Sequence, residues 1–357
     1  MKKSFIFFLF ILIARDVVSQ DVNVQQKEGL VQNSVNRHIE FIRFEKFQQN
    51  SANEVIGNFT KIIKYDDHLF ILDGRQDKIF VFDNKAKYLY SMGRAGQGPG
   101  DLEHPSDFFI ANDGLIYVLN PMPGRIEVFS IKGRYVKRVK LAVPKEIYYS
   151  HPNSILVTRD REFIVAYSLS QHLIDVYNEE GAYLKTLLKR EDEVGIPGEN
   201  IGNCSQIQFV PREDAILHFD YFTGIFTKIS TTGNVERQFS VFDALQNREV
   251  ENVKNDILAK RKAGRPGSTS ILEFQLWSRF GLDGENNIYA FLLLRKKGDP
   301  QNMFVFSPRG EFLYRSNPPS FIEGGYVDDL YCFEDLFVFK TPDDDVFMAI
   351  KRINKDR

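Results

Sequence analysis

The sequence predicts an all-β fold: a six-bladed β-propeller of four-stranded antiparallel blades, closed by an N-terminal strand. Three observations predict it. Short apolar runs alternate with Gly and Pro turn signals. Between Gly93 and Gly133 an apolar run is closed by Asn112-Asp113-Gly114, a β-rich run spans Leu115 to Leu119, a turn lies around Pro121 to Gly124, and a third run spans Ile126 to Phe129. An apolar pair ending the third strand, with Gly in the turn after it, recurs along the chain. It appears as Val81-Phe82 with Ala86 in the Gly place, Val128-Phe129 with Gly133, Val176-Tyr177 with Gly181, Lys228-Ile229 with Gly233 and Val305-Phe306 with Gly310. The period of ~40 to 50 residues is that of a propeller blade. Finally, the last unit lacks an outer strand, and a spare β-like segment precedes the first.

Taken in order, the chain opens on a targeting segment. Lys2 and Lys3 precede the apolar run Phe5 to Ile13, and Val17 and Ser19 occupy the small-residue positions before a cut at Gln20, which predicts a signal peptide over 1–19. The apolar run is far short of the ~20 residues of a membrane span. Arg15 and Asp16 are atypical beside a cut, so an uncleaved anchor stays open as the alternative. Residues 20–37, polar and rich in Gln and Asn, read as a flexible lead, and the propeller spans 38–357.

His38 to Phe47 is the spare strand, with Ile39, Phe41 and Arg43 expected on one face. In the first blade, Thr60 to Tyr65, Leu69 to Leu72, Lys78 to Phe82 and Tyr88 to Met92 fill the a, b, c and d places. The second strand of successive units ends in Asp73, Asn120, Ser168 and Asp220, small polar residues suited to a turn because their side chains bond nearby backbone. Between the fourth and fifth blades an insert at about 243–270 carries the one helical pattern. Asp243 is its N-cap, Ala244, Val250, Val253, Ile257 and Leu258 its apolar side, and Gly264 and Pro266 its stop. Lys254, Lys260, Arg261, Lys262 and Arg265 make it basic. The sixth unit runs through Leu330 to Phe333, Leu336 to Lys340 and Val346 to Ile350, then stops after three strands. Pairing His38 to Phe47 with that unit closes the ring and removes an exposed sheet edge.

Composition bounds the function. With 43% hydrophobic residues, 32 Phe and 15 Tyr, the chain can bury a large core. A net charge of −2 with both signs interspersed gives no footprint for nucleic acid or an anionic membrane. Two cysteines, Cys204 and Cys332, allow at most one bridge and read as free buried thiols. No His-Glu-x-x-His and no Gly-x-Ser-x-Gly occurs, so a zinc-helix protease and a nucleophile-elbow hydrolase have no local support.

Aligning the blades on the polar residue that ends strand b places His104, His151 and Cys204 near the starts of three adjacent inner strands. His, His and Cys are residue types that bind zinc or a similar divalent metal, and side chains packed or water-bonded at a channel mouth are the alternative. Asp73, Asn120 and Asp220 are carboxylate and amide groups of the kind that ligate harder cations, yet their constant offset is explained by turn capping. No other cofactor is implied.

The phrase GQGPGDLEHPSDFFIANDGLIYVLNPMPGRIEVFSIKG resembles the NHL-type repeat, and residues 38 to 353 resemble the secreted six-bladed propellers common in bacteria. In that family the loop with Gly96, Gly98, Pro99, Gly100 and Asp101 links blades, and Ile196-Pro197-Gly198-Glu199 looks like its echo. Pro-Gly sets a type II turn, and no helix follows that would make these glycines a phosphate cradle. NHL-like peptide-amidating lyases hold zinc with histidines from different blades, which the resemblance extends to His104 and His151. Here the third candidate is Cys204. The targeting segment predicts a periplasmic or extracellular protein, and the absence of a catalytic constellation on a fold that serves many functions points to a binding or scaffold module that engages a peptide, glycan or protein on the face of the blade-linking loops. The alternative is a metal-dependent lyase or hydrolase with its site at the channel mouth.

Overall fold

A computed structural model describes residues 40–46, 59–122, 124–145, 151–168, 170, 172–189, 205–210, 213–220, 225–240, 280–291, 303–316, 319, 322, 327, 329–341 and 346–352. The predicted signal peptide (1–19), lead (20–37) and helical insert (243–270) lie outside these residues, as do Cys204 and the Ile196 to Glu199 echo. Every element among the described residues is a β-strand.

Strand β1 (Glu40–Lys46) comes first. Blade one is β2 (Phe59–Tyr65), β3 (His68–Asp73), β4 (Lys78–Asp83) and β5 (Tyr88–Met92), within a residue of the predicted bounds. Blade two is β6 (Asp107–Ile110), β7 (Leu115–Asn120), β8 (Arg125–Ser130) and β9 (Tyr135–Lys140). Blade three is β10 (His151–Val157), β11 (Phe163–Ser168), β12 (His172–Tyr177) and β13 (Tyr183–Lys189). Blade four is β14 (Ser205–Val210), β15 (Ala215–Asp220), β16 (Ile225–Ser230) and β17 (Val235–Ser240). Each is an antiparallel four-stranded sheet in chain order, as tight turns between consecutive strands require.

Blade five is β18 (Gly281–Asp283), β19 (Ile288–Phe291), β20 (Met303–Phe306) and β21 (Phe312–Ser316). Blade six is β22 (Asp329–Glu334), β23 (Leu336–Lys340) and β24 (Val346–Arg352). β1 pairs antiparallel with β24, from Glu40 opposite Arg352 to Lys46 opposite Phe347, so the N-terminal strand supplies the missing outer strand. The ladder is irregular at Phe41 and Arg43. The register shifts between them, and they oppose the successive residues Lys351 and Ile350. The inner strands β18 and β22 pair in parallel, Leu282 with Phe333 and Asp283 with Glu334, fusing blades five and six into one eight-stranded sheet. That approach requires Gly281, where a Cβ would lie 2.4 Å from Cys332 Sγ and 3.0 Å from its backbone nitrogen.

The core lies between blades, because each strand alternates side chains toward the blade before and the blade after. Six apolar clusters fill the six interfaces. Phe70, Met92 and Phe108 join blades one and two, Tyr117, Ile126 and Tyr167 blades two and three, and Leu156, Ile164 and Ile216 blades three and four. Phe219, Phe226 and Phe280 pack at the next, Tyr289, Phe291 and Phe337 at the next, and Phe59, Ile71 and Met348 at the closing interface. Burying each such ring contributes about 2–3 kcal/mol.

The recurring Gly has two jobs. Gly181 takes a φ of +86° in the turn from β12 to β13, and a Cβ there would lie 2.3 Å from the carbonyl oxygen of Lys140 in the preceding blade. Close by, the two backbones are hydrogen-bonded, Ala142 N donating to Gly181 O at 2.8 Å. The turn therefore docks each blade on its neighbour. Ala86, which stands in the Gly place of blade one, holds a φ of +58°.

Candidate functional site

The inner strands converge on the axis, and residues on one rung of their ladders come from successive blades. Lys61, Asp107, Ser154 and Gln206 share such a rung, opposite Leu72, Leu119, Ala166 and Phe219. Asp107, only 1% exposed, is their hub. Its Oδ1 lies 2.6 Å from Lys61 Nζ, and its Oδ2 accepts from Ser154 Oγ at 2.6 Å and Ile155 N at 2.9 Å. Gln206 closes on Phe280, its Nε2 donating to Phe280 O and its Oε1 accepting from Phe280 N, both at 3.2 Å. This polar girdle satisfies itself, as a buried charged group must.

Two rungs closer to the a–b turns lie Ile63, Phe109, Leu156, Gln208, Gly281 and Cys332, opposite Phe70, Tyr117, Ile164, Leu217, Tyr289 and Phe337. One residue from each of the six blades forms a collar, apolar except for Gln208. With Phe209, Tyr331 and Phe333 it lines a cavity of about 790 Å³, within the size range of small-molecule sites. Lys61 and Gln206 lie among its lining residues, and its mouth is set by the a–b turns of blades two to four, through Asn112, Asp113, Arg159, Asp160, Arg161, Glu162 and Asp214.

The mouth is charged and the collar is not. Arg161 lies 3.2 Å from Glu179 and 3.6 Å from Asp113. Burial pushes the Cys332 thiol and the Tyr117 phenol up, so both stay protonated at neutral pH. A neutral thiol is a poor nucleophile and a poor metal ligand. Among the described residues, no group of three or more His, Cys, Asp or Glu is placed to hold a metal ion.

The sequence-predicted candidates stand elsewhere. Asp73 is a turn cap: its Oδ1 accepts from Arg75 N at 2.9 Å and Gln76 N at 3.0 Å. Asn120, fully buried, accepts from Glu103 N at 2.7 Å through Oδ1. Asp220 ends β15 opposite Ser205. His104 is exposed ahead of β6 with a φ of +46°, its amide donating to Asp77 Oδ1 at 2.7 Å. His151, also exposed, opens β10 opposite Ser168. None of His104, His151, Asp73 and Asn120 lines the cavity. Equal offsets in sequence are not equal places here, because β2 and β10 carry irregularities at Phe59/Lys61 and Pro152/Ser154 that shift their ladders. Sequence reasoning missed the girdle and the collar. Their signal was a charged residue next to apolar runs, Lys61 before Ile62-Ile63 in FTKIIKY and Asp107 at the head of DFFI.

The Gly-rich loop is a strut. Asp101 N donates to Gly98 O at 3.0 Å and Gly100 has a φ of +77°, the type II turn expected at Pro99-Gly100. Gly98 N is taken by Asp101 Oδ2 at 2.8 Å and Gly100 N by Glu127 Oε2 at 3.3 Å, so no amide cradle is left for an anion. Arg138 and Arg125 flank Glu127 at 2.5 and 3.1 Å and brace the loop from blade two, Arg125 Nη2 donating to Gly96 O at 3.1 Å.

Known structures share this architecture. A protein of Bacteroides fragilis NCTC 9343 that carries the description of an exported protein superposes with a TM-score of 0.63 at 14% identity, over 90% of this chain and 97% of that one. A member of the DUF4221 family from Bacteroides vulgatus ATCC 8482 gives 0.60 at 9% identity, over 90% and 99%. A streptogramin B lyase gives 0.50 at 10% identity, over 87% and 98%. At such identities the likeness is one of fold. No curated protein matches the sequence. The family model described as a 6-bladed beta-propeller, DUF5128, matches residues 15–263. That match, together with six apolar interfaces in a closed ring, means that the chain belongs to the DUF5128 family of six-bladed β-propellers.

Proposed function

We propose that this is an exported binding propeller, working in the periplasm or outside the cell, whose axial cavity receives part of a peptide, glycan or protein partner. The observation that carries the reading is the cavity of about 790 Å³ with one collar residue from every blade. A ring of inner strands held by six packed interfaces is a rigid frame, and a preformed site spares a ligand the cost of ordering it. The basic N-terminal dipeptide followed by a short apolar run supports export, as does the description of the B. fragilis neighbour as exported. The cavity opens between the a–b turns, which supports a partner approaching from that face rather than from the blade-linking loops.

The test is a thermal-shift screen of the full chain against peptide and oligosaccharide collections, repeated with Gln208→Trp. Gln208 is partly exposed in the collar, so an indole there fills the cavity from a site that tolerates it. Ligands of the cavity raise the melting temperature of the wild type and leave the variant unmoved. Hits that persist unchanged in Gln208→Trp, or no hits from either collection, overturn the reading.

A further inference from the structure

The cavity also says what kind of group it takes, an inference that rests on the channel being the binding site. Its depth is electrically closed. The one carboxylate at the girdle, Asp107, is spent on Lys61, Ser154 and Ile155 N, and the Gln206 carboxamide is spent on Phe280. A charged group entering there would be desolvated without a free counter-charge. The walls above are carbon: Ile63, Phe109, Phe209 and Phe333 are each partly exposed toward the cavity, from blades one, two, four and six. Gln208 is the collar's one polar side chain apart from the Cys332 thiol, and no hydrogen bond engages its amide among the described residues.

A sugar ring carries hydroxyls on most of its carbons, and each needs a partner once buried. One carboxamide does not supply them. An aromatic side chain needs none for its ring, and stacks edge or face against Phe109, Phe209 and Phe333. The mouth has the opposite character, with Asn112, Arg159, Asp160 and Asp214 presenting donors and acceptors to water. Apolar depth below a polar rim matches a side chain with its peptide backbone. We propose that the collar is a pocket for one uncharged aromatic side chain of a peptide, whose adjoining backbone amide is met by the Gln208 carboxamide.

Isothermal titration of the full chain with acetyl-Ala-Phe-Ala-amide, acetyl-Ala-Lys-Ala-amide, acetyl-Ala-Glu-Ala-amide and maltotriose tests this. The Phe peptide is expected to bind at least about tenfold more tightly than either charged peptide. Gln208→Leu, close in shape, is expected to weaken it several-fold. Phe209→Ala weakens it further, and Gln208→Trp abolishes it, with melting curves confirming that each variant is folded. Val136→Ser, on the exposed outer strand of blade two, leaves it unchanged. Maltotriose binding that Gln208→Trp blocks, with no binding of the Phe peptide, overturns this inference and leaves the channel as the site. Phe-peptide binding that survives Gln208→Trp overturns it too, since the peptide then sits elsewhere. Silence from all four probes overturns this inference, while the channel reading stands or falls on the thermal-shift screen.

Discussion

Lys61 and Asp107 belong to different blades, yet their side chains meet at 2.6 Å with the carboxylate almost wholly buried. Lys61 keeps part of its ammonium hydrated, with the side chain 17% exposed, so the pair is cheaper to desolvate than a fully enclosed one. Removing the cation leaves the carboxylate with hydrogen bonds and no counter-charge. Lys61→Met is expected to lower unfolding stability by about 2 kcal/mol, read from urea midpoints at constant m-value. An unchanged midpoint would show that the two blades are not coupled through this pair.

Gly181 and Ala86 occupy the same place in different blades and should respond to exchange by very different amounts. Gly181→Ala puts a methyl against the Lys140 carbonyl and holds Ala at a φ of +86°, at an expected cost above about 2 kcal/mol. Ala86→Gly trades relief at φ +58° against a lost buried methyl, and is expected within about 0.5 kcal/mol of wild type. Thermal melts of the two variants decide it, and equal effects would refute the docking role.

The β1 strand closes the ring on β24. A chain beginning at residue 50 exposes the edge of β24 and is expected to melt more than about 5 °C below the full chain and to be cut sooner by protease. Equal melting temperatures would mean that the closing strand is dispensable.

Arg94 beside Asp101, aided by the Gly98 amide, holds that carboxyl below its ordinary value near 3.8. A depressed carboxyl stabilises the fold above its unfolded pKa, and that contribution is lost as pH falls through the lower folded value. The Gly-rich loop is therefore expected to loosen only below about pH 4. Amide exchange at Gly98, taken relative to the intrinsic chemical rate at each pH, should rise in the wild type from pH 5 to 3. In Asp101→Asn it should be fast throughout. A flat profile in the wild type contradicts the clamp.

Cys332 is buried and its thiol is held protonated. In a Cys204→Ser background a thiol-specific reagent at pH 8 is expected to give no label on the native protein and one equivalent in denaturant. Rapid native labelling would place Cys332 at an accessible surface.

The blade frame was legible because its signals are local. Turn residues such as Gly133 and Gly310, and the polar ends of strand b at Asp73 and Asn120, act within a few residues of themselves, and their spacing alone counts the blades. Closure by His38 to Phe47 was legible by elimination, since one unit lacked a strand and one strand lacked a unit. The site was not legible in the same way. Which residues of an inner strand face the axis is fixed by how six blades assemble, and a one-residue bulge moves every rung. His104 and His151 agreed in offset to within one residue, yet His151 opens a strand bulged at Pro152/Ser154 and His104 lies ahead of its strand, which begins at Asp107. Lys61 and Asp107 met across a blade boundary that no local pattern marks.

The pairing of β1 with β24 also fixes an order of events. Of the described strands, β1 leaves the ribosome first, yet it finds its partner only after the other twenty-three have been delivered. Until then its hydrogen-bonding edge must be kept from other chains. A chain stopped before Val346 lacks the partner of β1, so the seam works as a check that synthesis has reached β24.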